Sequence, residues 1–513
     1  MAIFRRKSPQ VISAVRPTGT TKVTKTKKVG RDVVEITRVT ATPKRKAGSQ
    51  KQRSQQRQKQ GAGSGRNQRN QRNQRNRSRS QSARDHDVPP PLPEGVRKQM
   101  LVRVLPNQTQ VVVLEGPTLV EHFVANEESD SNAGNVYLAI VKNVLPGMEA
   151  AFLDFGAEKN GVLYAGDIKA PSGAGKNPRI EDVFKNGDKV LVQVVKDAMG
   201  AKGARLTGEI SMPGRYLVLV PDSDVMGISR RLPDDERHRL RDVIKGAKPK
   251  GFGVIVRTAA AGASEEDLQA DIVRLVEKWN AIKGQAGSGQ APRSIYKEPE
   301  LLIRVIREHF TSEFRRLLID DKDAAADVTA YLEETAPAFA DRVKVYEDEL
   351  PLFDRYHVED QLQKALERRV YLKSGGHLVI DLTEALTVID VNTGKFVGKS
   401  SLEETVFQNN LEAAEEIGRQ LRLRDIGGII VVDFIDMESE KNNRQLMQKV
   451  RETLARDKTR TQVFDVGPLG LVEMTRKNVS RSLLENFSEE CPTCDGRGVV
   501  LKDKTPGFQP ADE

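Results

Sequence analysis

The sequence has only two cysteines in 513 residues, Cys491 and Cys494, so no disulfide framework can staple it. Such sparing use of cysteine fits a reducing compartment, and a cytoplasmic protein is expected. No run of about 18 apolar residues occurs, which excludes a transmembrane helix on sequence grounds. No apolar stretch follows Arg5-Arg6-Lys7, so no signal peptide is expected. Aromatic residues are scarce at 5%, and hydrophobic residues reach only 38%, low for a chain that is globular throughout.

Charge is plentiful and unevenly placed. Residues 1–90 hold 24 Lys/Arg against 4 Asp/Glu, a net of +20, and the remainder holds 58 against 68, a net of −10. A basic arm is thus joined to an acidic body. The arm contains GSGRNQRNQRNQRNRSRSQSARDHDVPPPLP. Its Arg-Asn-Gln repeat has almost nothing apolar to bury, so a disordered arm is expected. Its charge suits a polyanion bound in a salt-dependent way, and RNA is favoured over acidic lipid because the repeat offers no amphipathic face.

The body is organised around Leu378 to Met437. Thr387-Val388-Ile389-Asp390 and Ile429-Ile430-Val431-Val432-Asp433 are β-branched runs that each end in a carboxylate, and they read as buried strands. Between them, Ser401-Leu402-Glu403-Glu404 has the form of a capping box. Leu402, Val406, Ala413, Ala414, Ile417 and Leu421 recur at helical spacing, and Gly427-Gly428 stops the helix. Strand, helix and strand form a crossover with parallel strands, which brings Asp390 and Asp433 to one sheet edge. Adjacent carboxylates repel, and a hard divalent cation such as Mg²⁺ relieves the repulsion. Asn392, two residues past Asp390, is placed to add a hydrogen bond. The plain alternative is a pair of solvated strand-end aspartates.

Upstream, residues 100–104 and 110–114 predict a hairpin, and short β-runs with Gly turns from Asn135 to Val195 predict a small barrel. The order of a strand, AFLDFG and GVLY resembles the OB-fold RNA-binding domain first named from a large ribosomal protein. In that family aromatics on the barrel face stack on bases, and Phe152, Phe155 and Tyr164 are the candidates, with Phe155 also readable as core. Tyr216 to Asn280 is mixed, with strands at 216–220 and 253–256. It carries Ser229-Arg230-Arg231 and Arg257-Thr258, and a guanidinium beside a hydroxyl after a buried strand suits a phosphate. Gly284 to Pro292 reads as a loop, and residues 301–318, 324–335 and 358–373 read as helices. Two glycine-lysine loops mimic a phosphate loop. Gly173 to Lys176 lacks the leading glycine, and Gly394 to Ser400 has it one residue too close. In the second loop Lys395 and Lys399 read better as cations beside the carboxylates, facing a polyanion, with nucleotide hydrolysis as the rival.

Cys491-Pro492-Thr493-Cys494-Asp495-Gly496-Arg497-Gly498 has the form of a zinc knuckle, yet a structural zinc needs four ligands. The six histidines stand far away and show no ligand spacing. Two thiolates from each of two chains would complete the site and predict a metal-linked dimer. A distant histidine pair and a redox dithiol are the alternatives.

Taken together, VIDVNTGKFVGK, ETVFQNNLEAAEEIGRQLRLRDIGGIIVVDFIDM, the VRTA segment and CPTCDGRG resemble the ribonuclease E/G family of bacterial endoribonucleases, from about Lys98 to Leu501. The resemblance implies an α/β multidomain fold in which an RNase H-like subdomain (96–127 and 304–365) carries an inserted OB-fold barrel (128–208) and a 5′-sensor (209–303). A DNase I-like catalytic subdomain (366–487), the knuckle (488–501) and a tail (502–513) follow, and the arm (1–95) precedes them. It implies a Mg²⁺-dependent endoribonuclease of RNA processing and mRNA decay, acting on single-stranded RNA and stimulated by a 5′-monophosphate. Cleavage would leave a 3′-hydroxyl and a new 5′-phosphate. Asp390 and Asp433 look like its Mg²⁺ carboxylates and Asn392 like their support. Arg257 and Thr258 look like its 5′-phosphate pocket, flanked by Gly214 and Val218. Phe152 and Lys202 look like RNA contacts of the barrel, and Arg460 like a basic residue near the active site. Cys491 and Cys494 look like half of a Zn²⁺ link between protomers, so a homodimer is implied. Ribosomes and RNA-decay proteins are the expected protein partners. Val162 departs from the family, which commonly has a second barrel aromatic there. The small C-terminal domain that pairs dimers is not seen before Glu513, which leaves a higher oligomer open. A non-catalytic RNA-binding factor is the remaining rival.

Overall fold

The computed structural model describes residues 20–29, 32–41, 93, 95–126, 131–168, 179–198, 202–287, 289–395, 401–464, 466–467, 470–478, 481–494, 496 and 498–500. The chain divides into two units, residues 1–76 and 77–513. In the first, β1 (Thr20–Val29) and β2 (Asp32–Ala41) pair antiparallel, with Val29 opposite Asp32. This corrects the expectation of an arm disordered throughout. Thr and Val dominate both segments, and β-branched residues favour extended backbone. The Arg-Asn-Gln repeat lies outside the described residues.

The second unit opens with β3 (Lys98–Leu105), β4 (Gln108–Glu115) and β5 (Thr118–Asn126), an antiparallel meander. A barrel follows. β6 (Val136–Leu145), β7 (Ala150–Asp154), β8 (Gly161–Tyr164), β9 (Lys189–Lys196) and β10 (Arg205–Thr207) form one sheet, which β6 closes by pairing with β9. The helical turn α1 (Ile180–Val183) precedes β9. Leu153, Phe155, Leu163 and Leu206 fill the interior, and Phe155 meets Tyr137 edge-on at 5.1 Å. Phe155 is therefore core and not a base-stacking surface.

The next segment contains β11 (Met212–Pro213), β12 (Leu217–Pro221), β13 (Met226–Ile228), α2 (Asp234–Ala247), β14 (Phe252–Val256), α3 (Glu265–Ala286) and β15 (Arg293–Tyr296). Helix α3 continues through Gly284, where a loop was expected. Its start is held by a reciprocal capping box between Ser264 and Asp267.

The chain then returns to the meander through α4 (Leu301–His309), β16 (Phe314–Ile319), α5 (Lys322–Thr335), β17 (Val343–Val345), α6 (Leu352–Arg355) and α7 (Val358–Leu366). β16 lies parallel to β3, with Leu317 opposite Met100, and the sheet order is β17-β16-β3-β4-β5. The helix expected over 301–318 thus stops at His309. Leu317, Leu318 and Ile319 are all buried in a central strand, and a short apolar run of this kind fits either state.

The C-terminal sheet has the order β18-β19-β20-β21-β23-β22. Its elements are β18 (Arg369–Tyr371), β19 (His377–Leu382), β20 (Leu386–Asn392), α8 (Leu402–Leu423), β21 (Gly428–Asp433), α9 (Glu440–Leu454), β22 (Thr461–Val463) and β23 (Val472–Arg476), with α10 (Leu483–Phe487) after it. Residues 369–371 form an edge strand where the predicted helix 358–373 would have continued. Ile380, Ile389, Val391, Ile430 and Val432 pack with Ile417 and Leu421 of α8 and Leu446 and Val450 of α9. The opposite face is not covered in the same way. Val388 and Val431 are half-buried and Ile429 is 50% exposed, so these strands are buried on one face only, contrary to the sequence reading.

Helix α8 sets the spacing of β20 and β21. Ser401 accepts a hydrogen bond from the Glu404 amide at 3.2 Å, but the Glu404 side chain turns to Gln408, so only half of the expected capping box forms. At the other end Ile426 N–H reaches Leu421 O and Asp425 N–H reaches Arg422 O, a Schellman closure. Asp425, not a glycine, takes the left-handed position, with φ 48°.

Candidate active site

β20 and β21 are parallel neighbours, and Asp390 stands directly opposite Asp433 at their C-terminal ends. Both side chains are exposed on the less covered sheet face. Asn392 Nδ2 donates to Asp390 Oδ2 at 2.7 Å and fixes that carboxylate. Carboxylates on adjacent strands, about 5 Å apart, repel by roughly 1–3 kcal/mol across the range from water to a protein surface. A divalent cation removes this cost, and Mg²⁺ needs only one or two carboxylates with water and phosphate oxygens. The residues present fit Mg²⁺ in this sense. Among the described residues no group of three or more His, Cys, Asp or Glu side chains gathers at one point, so these residues offer no closed cage for the ion.

Helix α8 holds the loop after Asp433. Asn410 Nδ2 donates to Ile435 O at 2.8 Å, and Asn410 Oδ1 accepts from the Ile435 amide at 3.2 Å. The Glu403 carboxylate accepts from the amides of Glu438 and Ser439 and from Asn442 Nδ2. The Glu438 amide leads the donors that hold this carboxyl below its ordinary value. On the other side, the Lys395 amide reaches Gly375 O at 3.2 Å. A Cβ on Gly394 would stand 2.6 Å from the same oxygen, and φ is 54°, so this turn requires glycine. Lys395 is exposed, and Lys399 lies outside the described residues, as does Gly173 to Lys176.

A second polar cluster surrounds Arg257. Its Nη1 donates to Gly214 O at 2.9 Å, and its Nη2 lies 3.7 Å from Glu308 Oε1. The Thr258 hydroxyl is 2.8 Å from that of Ser229. Burial pushes the Arg257 guanidinium down, with Glu308 opposing. Burial pushes the Glu308 carboxyl up, yet Arg257 and Arg307 outweigh it and hold it below its ordinary value. Val218 pairs with Ile255 within this sheet. Gly214 is required by close packing, since a Cβ there would meet Asp271 Oδ2 at 2.6 Å. Asp271 is buried and accepts from the amides of Arg215, Tyr216 and Leu217. Neither Asp271 nor Glu308 stands out in the sequence. Both are lone acids within helical patterns, and no spacing marks them.

On the barrel's outer face Phe152 pairs with Val162, and Val162 pairs with Arg205. Tyr164 lies two residues along the same face, with the Arg205 guanidinium 5.6 Å from its ring centroid. Lys202 is exposed just before β10, and Gly203 packs on Asn160 O, which a Cβ would approach to 2.1 Å.

Arg460 is not brought to the carboxylates. Its carbonyl accepts from the Lys477 amide, and the next residue, Thr461, pairs with Arg476. Arg476 lies opposite Gly428, five residues before Asp433 on β21, which is roughly 17 Å along the strand. Arg460 stands instead near the Arg257 segment, because Arg231 donates to the carbonyls of Arg456 and Asp457. The sequence spacing alone did not show that β23 runs back between β21 and β22.

The cysteines sit in a turn with Gly496 and Gly498 at φ 72° and 73°. The Gly498 amide donates to Cys494 Sγ at 3.4 Å. The amide of Thr493 and then that of Cys494 push the Cys491 thiol down, which favours the thiolate a metal binds. Two thiols fit half of a tetrahedral zinc site.

Residues 211–479 match the model of the Ribonuclease E/G family. Ribonuclease G of Salmonella typhimurium (strain SL1344) is 40% identical over 411 residues, covering 78% of this chain and 84% of that protein. Ribonuclease G of Escherichia coli (strain K12) shows the same identity and coverage. Ribonuclease E of Haemophilus influenzae is 39% identical over 413 residues, covering 78% of this chain and 44% of that protein. The chain belongs to the ribonuclease E/G family.

Proposed function

We propose that this protein is an endoribonuclease that hydrolyses single-stranded RNA in RNA processing, including rRNA processing, and in mRNA decay, and that it works in the cytoplasm. The observation that carries this reading is the direct opposition of Asp390 and Asp433, with Asn392 bound to the first. Asp390 and Asp433 would hold Mg²⁺, which supplies charge neutralisation at the scissile phosphate and a more acidic water. Asn392 orients the Asp390 carboxylate. Glu403 and Asn410 keep the loop after Asp433 in place, so the second carboxylate does not drift. Lys395, with Lys399, attracts the RNA backbone. Water adds to phosphorus in line with the leaving O3′, the P–O3′ bond breaks, and O3′ takes up a proton. A 3′-hydroxyl and a new 5′-phosphate result.

The remaining residues position the strand. Phe152 and Tyr164 offer ring faces to unstacked bases on an OB-type barrel, and Lys202 offers charge to the backbone. Arg257 and Thr258 receive a 5′-monophosphate, with Gly214 and Val218 shaping the pocket. In this reading an RNase H-like sheet carries the barrel and the 5′-phosphate segment, and a DNase I-like sheet carries the carboxylates. Cys491 and Cys494 of two chains share one Zn²⁺ in a homodimer. Incubating a 5′-monophosphorylated single-stranded RNA with the protein and Mg²⁺ tests the activity. Internal cleavage that EDTA abolishes is expected. Intact RNA in the presence of Mg²⁺ would refute it, and phosphate release from ATP without RNA cleavage would favour a nucleotide hydrolase.

A further inference from the structure

Arg424 is a buried cation with no ion-pair partner among the described residues. It is 7% exposed, at the C-terminal end of α8. Its Nε donates to Gln420 Oε1 at 2.6 Å, a neutral partner. Its Nη2 is enclosed and has no hydrogen-bond partner among the described residues. No carboxylate of the described residues lies within 4 Å of it, as one does for Arg422, Arg419 and Arg476. Burial, followed by the nearby charge of Arg419, pushes the Arg424 guanidinium down to about 10, and Glu416 and Glu367 oppose this from further away. Glu416 is already bound to Arg419. Burying an unpaired charge is costly, so such groups ordinarily have a partner.

Arg424 lines a cavity of about 220 Å³, together with Arg368, Ile380, Asp381, Ser482 and, at its exposed rim, Leu382. The one carboxylate there, Asp381, is taken up by both nitrogens of the Arg368 fork. The cavity therefore keeps an excess of positive charge. Its volume holds a phosphate ion with a few waters, at about 30 Å³ per water. It lies at the far end of β19 from the paired aspartates. Leu382 pairs with Thr387, three residues before Asp390, or roughly 10 Å along the strand.

We propose that this cavity is a binding site for a phosphate-type oxyanion, which a free phosphate ion or the phosphate of a mononucleotide can supply, and that Arg424 is its principal ligand. A guanidinium N–H donates a charge-assisted hydrogen bond to an oxygen of such an anion. The site is separate from the Arg257 cluster and does not depend on the reading of that cluster as a 5′-phosphate pocket.

The test uses the full chain and inorganic phosphate, with sodium chloride at equal ionic strength as the reference. Calorimetric titration and thermal melting are read for the parent protein, Arg257→Ala, Arg424→Met and Leu382→Trp. Phosphate is expected to bind the parent and Arg257→Ala and to raise the melting temperature of both. Arg424→Met should lose at least tenfold in phosphate affinity. Leu382→Trp narrows the cavity mouth and leaves the guanidinium in place, so it should weaken binding as well and serves if Arg424→Met fails to fold. Repeating the titration with 5′-AMP separates the two sources of the anion, and weakening by Leu382→Trp is expected for either. No phosphate effect beyond that of chloride, equal binding by all four proteins, or loss only in Arg257→Ala would overturn the proposal.

Discussion

Asp390 and Asp433 occupy the same register position on two parallel strands, and the 35 residues between Asn392 and Gly428, where β21 starts, include one long helix, α8, which Ser401 caps at its start and Asp425 closes at its end. Two carboxylates held side by side by backbone pairing cannot separate to relieve their repulsion. In the proposed function, a divalent cation and a phosphate would complete this charge arrangement.

The Arg257 cluster gives a prediction that depends on the end of the RNA. Arg257→Ala should slow cleavage of 5′-monophosphorylated RNA by ten- to a hundredfold, the equivalent of about 1.5–3 kcal/mol for a charge-assisted contact. Cleavage of 5′-hydroxyl RNA should stay nearly unchanged. Steady-state kinetics on the paired substrates check this. An equal loss on both would make Arg257 a structural residue that braces Gly214.

Stability should fall in mild acid through His122. Burial, aided by the charge of Arg103, pushes its imidazole down to about 4. The ring sits 3.3 Å from Gln110 Oε1 and stacks on Phe487. The unfolded chain, with an ordinary value near 6.5, binds this proton first, so stability is lost as pH falls from about 6.5 towards 4. Roughly 2 kcal/mol should disappear between pH 7 and 5 from this group. His309, half-buried beside Glu121, is depressed in the same direction by burial and adds to the loss. Urea denaturation of His122→Phe, which keeps the ring contact, should show a shallower pH dependence than the parent. An unchanged slope would mean that His122 does not titrate in this window.

The cysteine turn predicts a stoichiometry. Two thiolates per chain call for about one zinc per two chains. If two chains share one zinc as proposed, Cys491→Ser and Cys494→Ser should each dissociate that dimer and reduce activity, with slow cleavage remaining because the aspartates are untouched. Light scattering and metal analysis decide the matter. One zinc per chain, or a fully active monomer, would leave a distant histidine pair as the better account.

The carboxylate pair was legible in the sequence because three signals coincide there. Two β-branched runs end in Asp, an amphipathic helix of the right length joins them, and Ser401 marks where that helix begins. Such local signals say nothing of neighbours that come from afar. Phe314 to Leu318 falls inside the helix expected over 301–318, and only pairing with β3, more than 200 residues earlier, makes it a strand. The family resemblance puts Arg460 near the active site, whereas the reversal into β23 leaves it toward the end of the sheet away from the two aspartates. Asp271 was invisible for a related reason. Its role is to hold three amides of a turn more than 50 residues away.

The most direct test of the central claim is the cleavage rate of Asp390→Asn and Asp433→Asn on a 5′-monophosphorylated single-stranded RNA at saturating Mg²⁺, with RNA binding measured alongside. Each substitution keeps the shape and removes one charge. Each is expected to lower turnover by at least about 10²–10³-fold, the scale of losing one electrostatic group at a reacting centre, while RNA affinity is retained. Near-parental turnover by either variant would contradict the assignment of these two aspartates as the catalytic pair.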